Sequence, residues 1–190
     1  MLLASVPDEL FGKVDSGTTA WMLMSAALVL LMTPALAFFY GGLSRQKSVL
    51  NMMMMSIGSL GVVSVIYVLW GYSMSFSGEG NYLGMFDNPF TYFGLDQLMA
   101  TKPSGEDTLV VLNAAGSGLP AIVFAGFQLT FAVITVAIIS GSLANRVKFS
   151  TWMVFVPVWL TLVYFPHTAL PLAPAARFQQ LFLARPQWVR

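Results

Sequence analysis

Phe124, Phe127, Gln128, Phe131 and Thr135 lie in one uncharged stretch at spacings that suit a helix face. Phe127 and Phe131 are four residues apart and share a face, while Gln128 and Thr135, seven apart, line up with Phe124 and Phe131. Aromatic rings bordering a polar stripe suit the mouth of a passage for a small cation. Ring faces attract the charge, and an amide or hydroxyl replaces the water lost on entry. The same residues also read as packing, with the phenylalanines against neighbouring helices and Gln128 bridging them by a hydrogen bond. On residue types alone, packing is the simpler of the two.

Other chemistries are poorly served. No spacing of Ser, His and Asp suggests a triad, no carboxylate lies inside an apolar stretch, and neither a P-loop nor a dinucleotide fingerprint occurs. Membrane enzymes place ionisable groups in their helices, so the sequence argues against an enzyme and for a neutral pathway or a scaffold. With no cysteine there is no thiolate nucleophile, iron-sulfur cluster or thiol zinc site, and a single histidine excludes most imidazole metal sites. No cofactor is expected. A net charge of +1 without a basic face argues against nucleic-acid binding. Met52 to Met55 read as soft packing or lipid contact, because adjacent helical positions point different ways. Tyr40 with Gly41-Gly42 reads as an interfacial anchor and helix end, His167 as incidental or interfacial, and Arg146 and Lys148 as membrane-boundary anchors.

The elements that must hold these residues follow from composition. Of 190 residues, 57% are apolar and 9% charged, where a soluble domain carries about 25% charge. Uncharged runs cover Ser16 to Ser44, Ser48 to Gly78, Thr108 to Asn145 and Phe149 to Ala176. At ~1.5 Å per residue each can cross a ~30 Å hydrocarbon layer as a helix. The expected fold is an all-α, polytopic membrane bundle with spans at about 18–40, 49–76, 119–142 and 149–165. The first opens at Asp15-Ser16-Gly17-Thr18, contains Pro34, and is expected to stop at Gly41-Gly42. Pro34 predicts a kink, with the freed carbonyl re-satisfied by neighbours or by the Thr33 hydroxyl. In the second span Ser56, Gly58, Ser59, Gly61 and Ser64 let another helix approach, and Tyr67, Trp70, Tyr72 and Phe76 suit a headgroup interface. Residues 77–118 hold seven glycines, two prolines and five acids, and read as an irregular loop with a short helix near Glu106 to Ala114. Pro120 opens the third span, Pro157 lies in the fourth, and Pro166 is expected to end it.

Asp8, Glu9, Lys13 and Asp15 precede the first span, Arg45 and Lys47 follow it, the long loop is mostly acidic, and Arg146 and Lys148 follow the third span. The positive-inside rule then puts the N-terminus and residues 77–118 outside and the two short basic loops in the cytoplasm of a multi-pass plasma-membrane protein. Residues 1–15 have neither a basic start nor a continuous apolar stretch, so the first helix is expected to act as its own insertion signal. Arg177, Arg185 and Arg190 break the charge pattern.

Asp15-Ser16-Gly17-Thr18-Thr19-Ala20-Trp21 and the run Leu28 to Leu43, with Thr33-Pro34-Ala35-Leu36-Ala37-Phe38-Phe39-Tyr40-Gly41-Gly42, closely resemble the first helix of the ammonium transporter family (Amt/Mep/Rh). The resemblance continues through Gly61-Val62-Val63-Ser64-Val65, Trp70-Gly71-Tyr72-Ser73, Phe127-Gln128, Phe131-Ala132, Arg146-Val147-Lys148-Phe149-Ser150 and Trp159 to Pro166, and so over residues 15–166. It implies the N-terminal part of an eleven-helix bundle that assembles as a homotrimer in the lipid bilayer. Each subunit would have a narrow apolar pore for ammonium or ammonia. Phe127 then resembles the phenylalanine of an outer vestibule and Phe131 the upper of two stacked gate rings, with Gln128 beside them. Cation-π attraction of roughly 0.5 to 2 kcal/mol would select the ion before its proton is lost.

The family's later vestibule Trp, its Asp-Phe-Ala-Gly-Gly motif, second gate ring and pore histidines are not found after Pro166, where His167-Thr168-Ala169-Leu170-Pro171 leads into a Pro- and Arg-rich tail. Asn145 stands where the family commonly has Glu. The expectation is a partial transporter domain over 1–166 with a divergent tail over 167–190, a truncated or frame-shifted copy inactive by itself. Two other classes remain: a non-transporting scaffold or regulatory subunit docking on full-length transporters through the small residues of the second span, and a transporter of another small solute such as methylamine or a dissolved gas.

Overall fold

The computed structural model describes residues 10–76, 89–104, 107–112, 118–144 and 146–169. Four helices in it are long and apolar enough to cross a membrane: α1 (Ser16–Leu43), α2 (Gln46–Phe76), α3 (Ala121–Ser142) and α4 (Phe149–Ala169). They alternate in direction. α2 is central, packing on α1, α3 and α4, and α1 also lies along α3. The chain is therefore a mostly helical multi-pass membrane protein, as its composition predicts.

Asp15 starts α1. Its carboxylate accepts from the Thr18 amide at 2.8 Å and from the Thr18 hydroxyl, while the Thr19 hydroxyl donates to the Asp15 carbonyl at 2.7 Å. These bonds satisfy donors that a helix start leaves open. They also hold the exposed Asp15 carboxyl below its usual range, first through the Thr18 hydroxyl and then the Thr18 amide. The Asp15 amide donates to the Gly118 carbonyl at 2.9 Å, joining the head of α1 to the head of α3. Gly118 takes a left-handed φ of +66°, and a Cβ there would stand 2.9 Å from that of Asp15.

α1 runs past the expected stop at Gly41-Gly42 to Leu43. Gly41 is retained for close approach: a Cβ would lie 3.1 Å from Met53 Cγ. With Thr33 and Ala37 it forms the buried stripe of α1, one residue per turn. The helix also continues through Pro34, but the Thr33 hydroxyl is buried without a partner and does not relieve the proline.

Both α2 and α4 contain a π turn, at Tyr67–Gly71 and Leu160–Tyr164. The amide of Phe165 reaches back to Leu160, immediately before Pro166, and widening the helix there makes room for the proline ring. α4 thus passes the expected end at Pro166 and continues to Ala169. In α2 the extra residue turns the following side chains by roughly 100° about the axis. Tyr67 and Tyr72, expected at the headgroup boundary, are instead buried against one another and Phe165. The two π turns meet, with the Trp70 indole donating to the Thr161 hydroxyl at 3.2 Å and Phe165 pressed on Gly71.

The described parts of residues 77–118 are not irregular throughout. β1 (Phe11–Gly12), β3 (Asp107–Val111) and β2 (Thr101–Ser104) form an antiparallel sheet in the order β1-β3-β2, with Phe11 opposite Val111 and Thr101 opposite Val110. This corrects the short helix expected near Glu106 to Ala114. Thr108, Val110 and Val111 are β-branched, and the segment takes strand partners from both sides. Asn145 and the tail over 170–190 lie outside the described residues.

Candidate functional site

α3 presents the aromatic and polar stripe. Phe127 and Phe131 meet edge to face with ring centroids 5.0 Å apart and planes at 82°. Phe131 is 40% exposed, and Phe127 and Gln128 are half-buried. The Thr130 hydroxyl donates to the Phe127 carbonyl and the Thr135 hydroxyl to the Phe131 carbonyl, both at 2.7 Å. Those bonds tie the polar side chains to their own helix and fix the turn carrying the two rings. Phe124, one turn toward the head of α3, contacts the Phe76 ring at 5.5 Å. Phe76 in turn stacks on Tyr72 at 5.3 Å.

The sequence-predicted trio Phe127, Gln128 and Phe131 is therefore together on one helix. The expected interhelical bridge through Gln128 is absent, since its amide makes no hydrogen bond among the described residues. Among the described residues no helix covers Phe131, so the rings border an open face.

The aromatic chain from Tyr72 through Phe76 to Phe124 was missed by sequence reasoning, because the π turn that re-aims the end of α2 leaves no periodic signal. Its signal was only the density of aromatics at the end of that span. Tyr40 is more than an interfacial anchor: its hydroxyl donates to the Ile138 carbonyl at 3.4 Å and its ring packs against Gly141. His167 is exposed on the last turn of α4, next to the Thr168 hydroxyl that donates to Ser75 at 2.9 Å.

The small residues of α2 are largely consumed within the chain. The Ser56 hydroxyl pairs with that of Ser140 at 3.1 Å. The Trp152 indole donates to the Met55 carbonyl at 3.1 Å and the Ser59 hydroxyl at 3.0 Å. Phe149 lies on Gly58. Met52 and Met55 are buried in the same seam and Met54 points outward. A partner docking through this face finds Gly61 open, but not Ser56 or Ser59.

A bundle of four apolar spans, with rings and an amide on an uncharged face of α3, defines a multi-pass membrane protein. Comparison with known proteins specifies it further. The sequence pattern of the Ammonium Transporter Family matches residues 20–181, and the chain belongs to that family. A protein named ammonium transporter from Mycobacterium tuberculosis is 54% identical over 163 residues, covering 83% of this chain and 33% of the relative. One from Aquifex aeolicus is 43% identical over 155 residues, covering 81% and 33%. Among solved structures, Mep2 of Saccharomyces cerevisiae superposes with a TM-score of 0.66 at 29% identity, covering 83% of this chain and 33% of Mep2. Mep2 of Candida albicans gives 0.64 at 26%, covering 83% and 31%. The chain thus spans about a third of the length of the relatives it matches. The family match also runs beyond Pro166, where the sequence reading placed the onset of divergence.

Proposed function

We propose that these four helices form one wall of a pore that conducts ammonium or ammonia across the plasma membrane, with the N-terminus outside. Phe127, Gln128 and Phe131 bind the substrate at the outer mouth. The supporting observation is the edge-to-face pair of Phe127 and Phe131 on an uncharged, open face beside an unpaired amide. Ring faces hold a small cation by their quadrupoles, and the Gln128 carbonyl replaces a lost water. An apolar span beyond them suits passage of the neutral form, because a charge at the bilayer centre is costly. The exposure of Phe131 means that further helices must complete the pore, and a homotrimer of completed subunits is the assembly that the family implies. The 190 residues by themselves are inactive in this reading.

The test is uptake of labelled methylammonium in cells lacking their own ammonium uptake. The chain is expressed alone and together with the remaining C-terminal part of the Mycobacterium tuberculosis relative. The chain alone is expected to be inert and the combination active. Phe131→Ala should weaken apparent affinity by about 2- to 30-fold, the range that corresponds to a cation-π contact. No uptake by a combination that reaches the membrane intact would overturn the reading.

A further inference from the structure

The head of α3 is poorly made to stand alone. Pro120 precedes it without a capping side chain, and its first turn holds no acid, although a helix start uses both to satisfy its free amides. The run Ala121-Ile122-Val123-Phe124-Ala125-Gly126 adds two β-branched residues and a glycine, which favour helix weakly. A Cβ at Gly126 would meet nothing within 4 Å, so no described neighbour steadies the helix at that position. The ring of Phe127 follows at once, and its direction depends on how the first turn is held.

Two contacts of different kinds hold that turn. One is backbone: the Gly118 carbonyl accepts from the Asp15 amide at 2.9 Å, and Pro120 bridges to Leu112. These bonds lie ahead of the helix and fix where it begins, but not its rotation about its axis. The other is Phe76, the last residue of α2, whose ring meets that of Phe124 edge to face with centroids 5.5 Å apart and planes at 81°. A contact on a side chain, away from the axis, resists rotation. Phe124 lies two turns before Phe131 on one stripe and three residues before Phe127, so a twist at Phe124 carries to both rings.

Phe76 is itself braced. It stacks on Tyr72 at 5.3 Å with planes at 28°, and Tyr72 meets Tyr67 and Tyr92 edge to face at 6.2 and 6.0 Å. The Tyr92 amide donates to the Ser73 hydroxyl at 3.3 Å. The brace depends on the π turn at Tyr67–Gly71, since without its extra residue Phe76 would point roughly 100° away from its present direction.

We infer that Phe76 is a positioning residue for the rings of α3. Acting through Phe124, it sets the rotation of the head of α3 and with it the attitude of Phe127 and Phe131 toward the solute. The inference rests on the reading of those rings as the outer mouth.

The test places 4-fluorophenylalanine at position 131 of the full chain in detergent and reads its fluorine resonance, with position 155, in the Trp152 stack, as a remote control. F76L should shift and broaden the signal from 131 and leave that from 155 in place, while F76Y, which keeps a ring, should keep the parent spectrum. F124L should have the same effect as F76L, and F76L/F124L no more than either alone, because the two residues act in series. In uptake by the chain combined with the C-terminal part of the relative, F76L should raise the apparent KM for methylammonium about two- to tenfold, the range of an edge-to-face pair, with the maximal rate retained. An unmoved signal at 131, an equal change at 155 or additive effects of the two substitutions would overturn the proposal. So would an unchanged KM in a combination that conducts. Failure of the parent combination to conduct strikes the pore reading instead, and the fluorine spectra still decide whether Phe76 sets the rings.

Discussion

The seam where α2 meets α3 and α4 and the open face of α3 are built from similar residues to opposite ends. In the seam, Ser56, Ser59, Ser140 and Trp152 are fully buried, and each hydroxyl or indole donor has a partner. On the face, Phe131 is exposed and Gln128 makes no hydrogen bond among the described residues, while the Thr135 hydroxyl donates to the Phe131 carbonyl of its own helix. Lipid offers apolar groups no solvent to escape, so helices associate there through close packing and satisfied polar contacts. The seam meets both conditions inside the chain. The α3 face meets neither, and its polar and aromatic groups are available to a solute or to further helices.

Trp152 should therefore mark the largest difference between the regions. Its ring fills the space between α4 and α2, and its donor is shared by the Met55 carbonyl and the Ser59 hydroxyl. Trp152→Ala should cost on the order of 3 kcal/mol, mainly lost packing, since burial in lipid removes most of the water-transfer part of a large-to-small change. Reversible unfolding in mixed micelles with increasing denaturing detergent measures it. Trp152→Phe separates packing from hydrogen bonding and should cost about 1 to 3 kcal/mol, the penalty for leaving buried acceptors unpaired. A cost near zero for both would break the contrast, because the seam would then not be what holds the helices.

A smaller effect belongs to the head of α1, outside the hydrocarbon layer. Asp15→Ala removes the cap and should speed amide hydrogen exchange at Thr18 and Thr19. The folded-state pKa of Asp15 is lowered from its usual 3.8, chiefly by the Thr18 hydroxyl. A lowered folded pKa means that the contribution is fully present above the unfolded value and is lost as pH falls through the folded one. The variant and the parent should thus differ at neutral pH and converge below pH 3.8. A difference that persists in acid would assign the effect to the Asp15–Gly118 backbone tether instead.

Much of this was legible in the sequence, for physical reasons. Hydrophobic length dictates the four spans, because unsatisfied backbone in lipid leaves helix as the simplest answer. The shared face of Phe127, Gln128 and Phe131 follows from helical periodicity alone. What eluded the sequence depends on contacts between distant segments. Gly41 reads as a stop until Met53 is seen against it, Pro166 reads as a terminus until the π turn before it is seen, and Tyr72 reads as a boundary anchor until that of α2 rotates it inward. The strand at Asp107–Val111 exists because Phe11 and Thr101 reach it from either side.

The smallest expected effect is also the sharpest test of the contrast. Gln128→Leu keeps the size of the side chain approximately and removes an amide that makes no hydrogen bond among the described residues. In the seam, such a loss of polar groups costs stability because their partners are left buried and unpaired. On the α3 face no partner is stranded, and a half-buried amide facing lipid carries a desolvation penalty that leucine removes. Unfolding in the same micelles should therefore place Gln128→Leu within about 0.5 kcal/mol of the parent, or slightly above it. A destabilisation matching Trp152→Phe would mean that Gln128 bridges helices in the membrane, as packing alone first suggested. Near-neutral stability, combined with lower uptake by the completed pore, would mean that the amide is held for the solute.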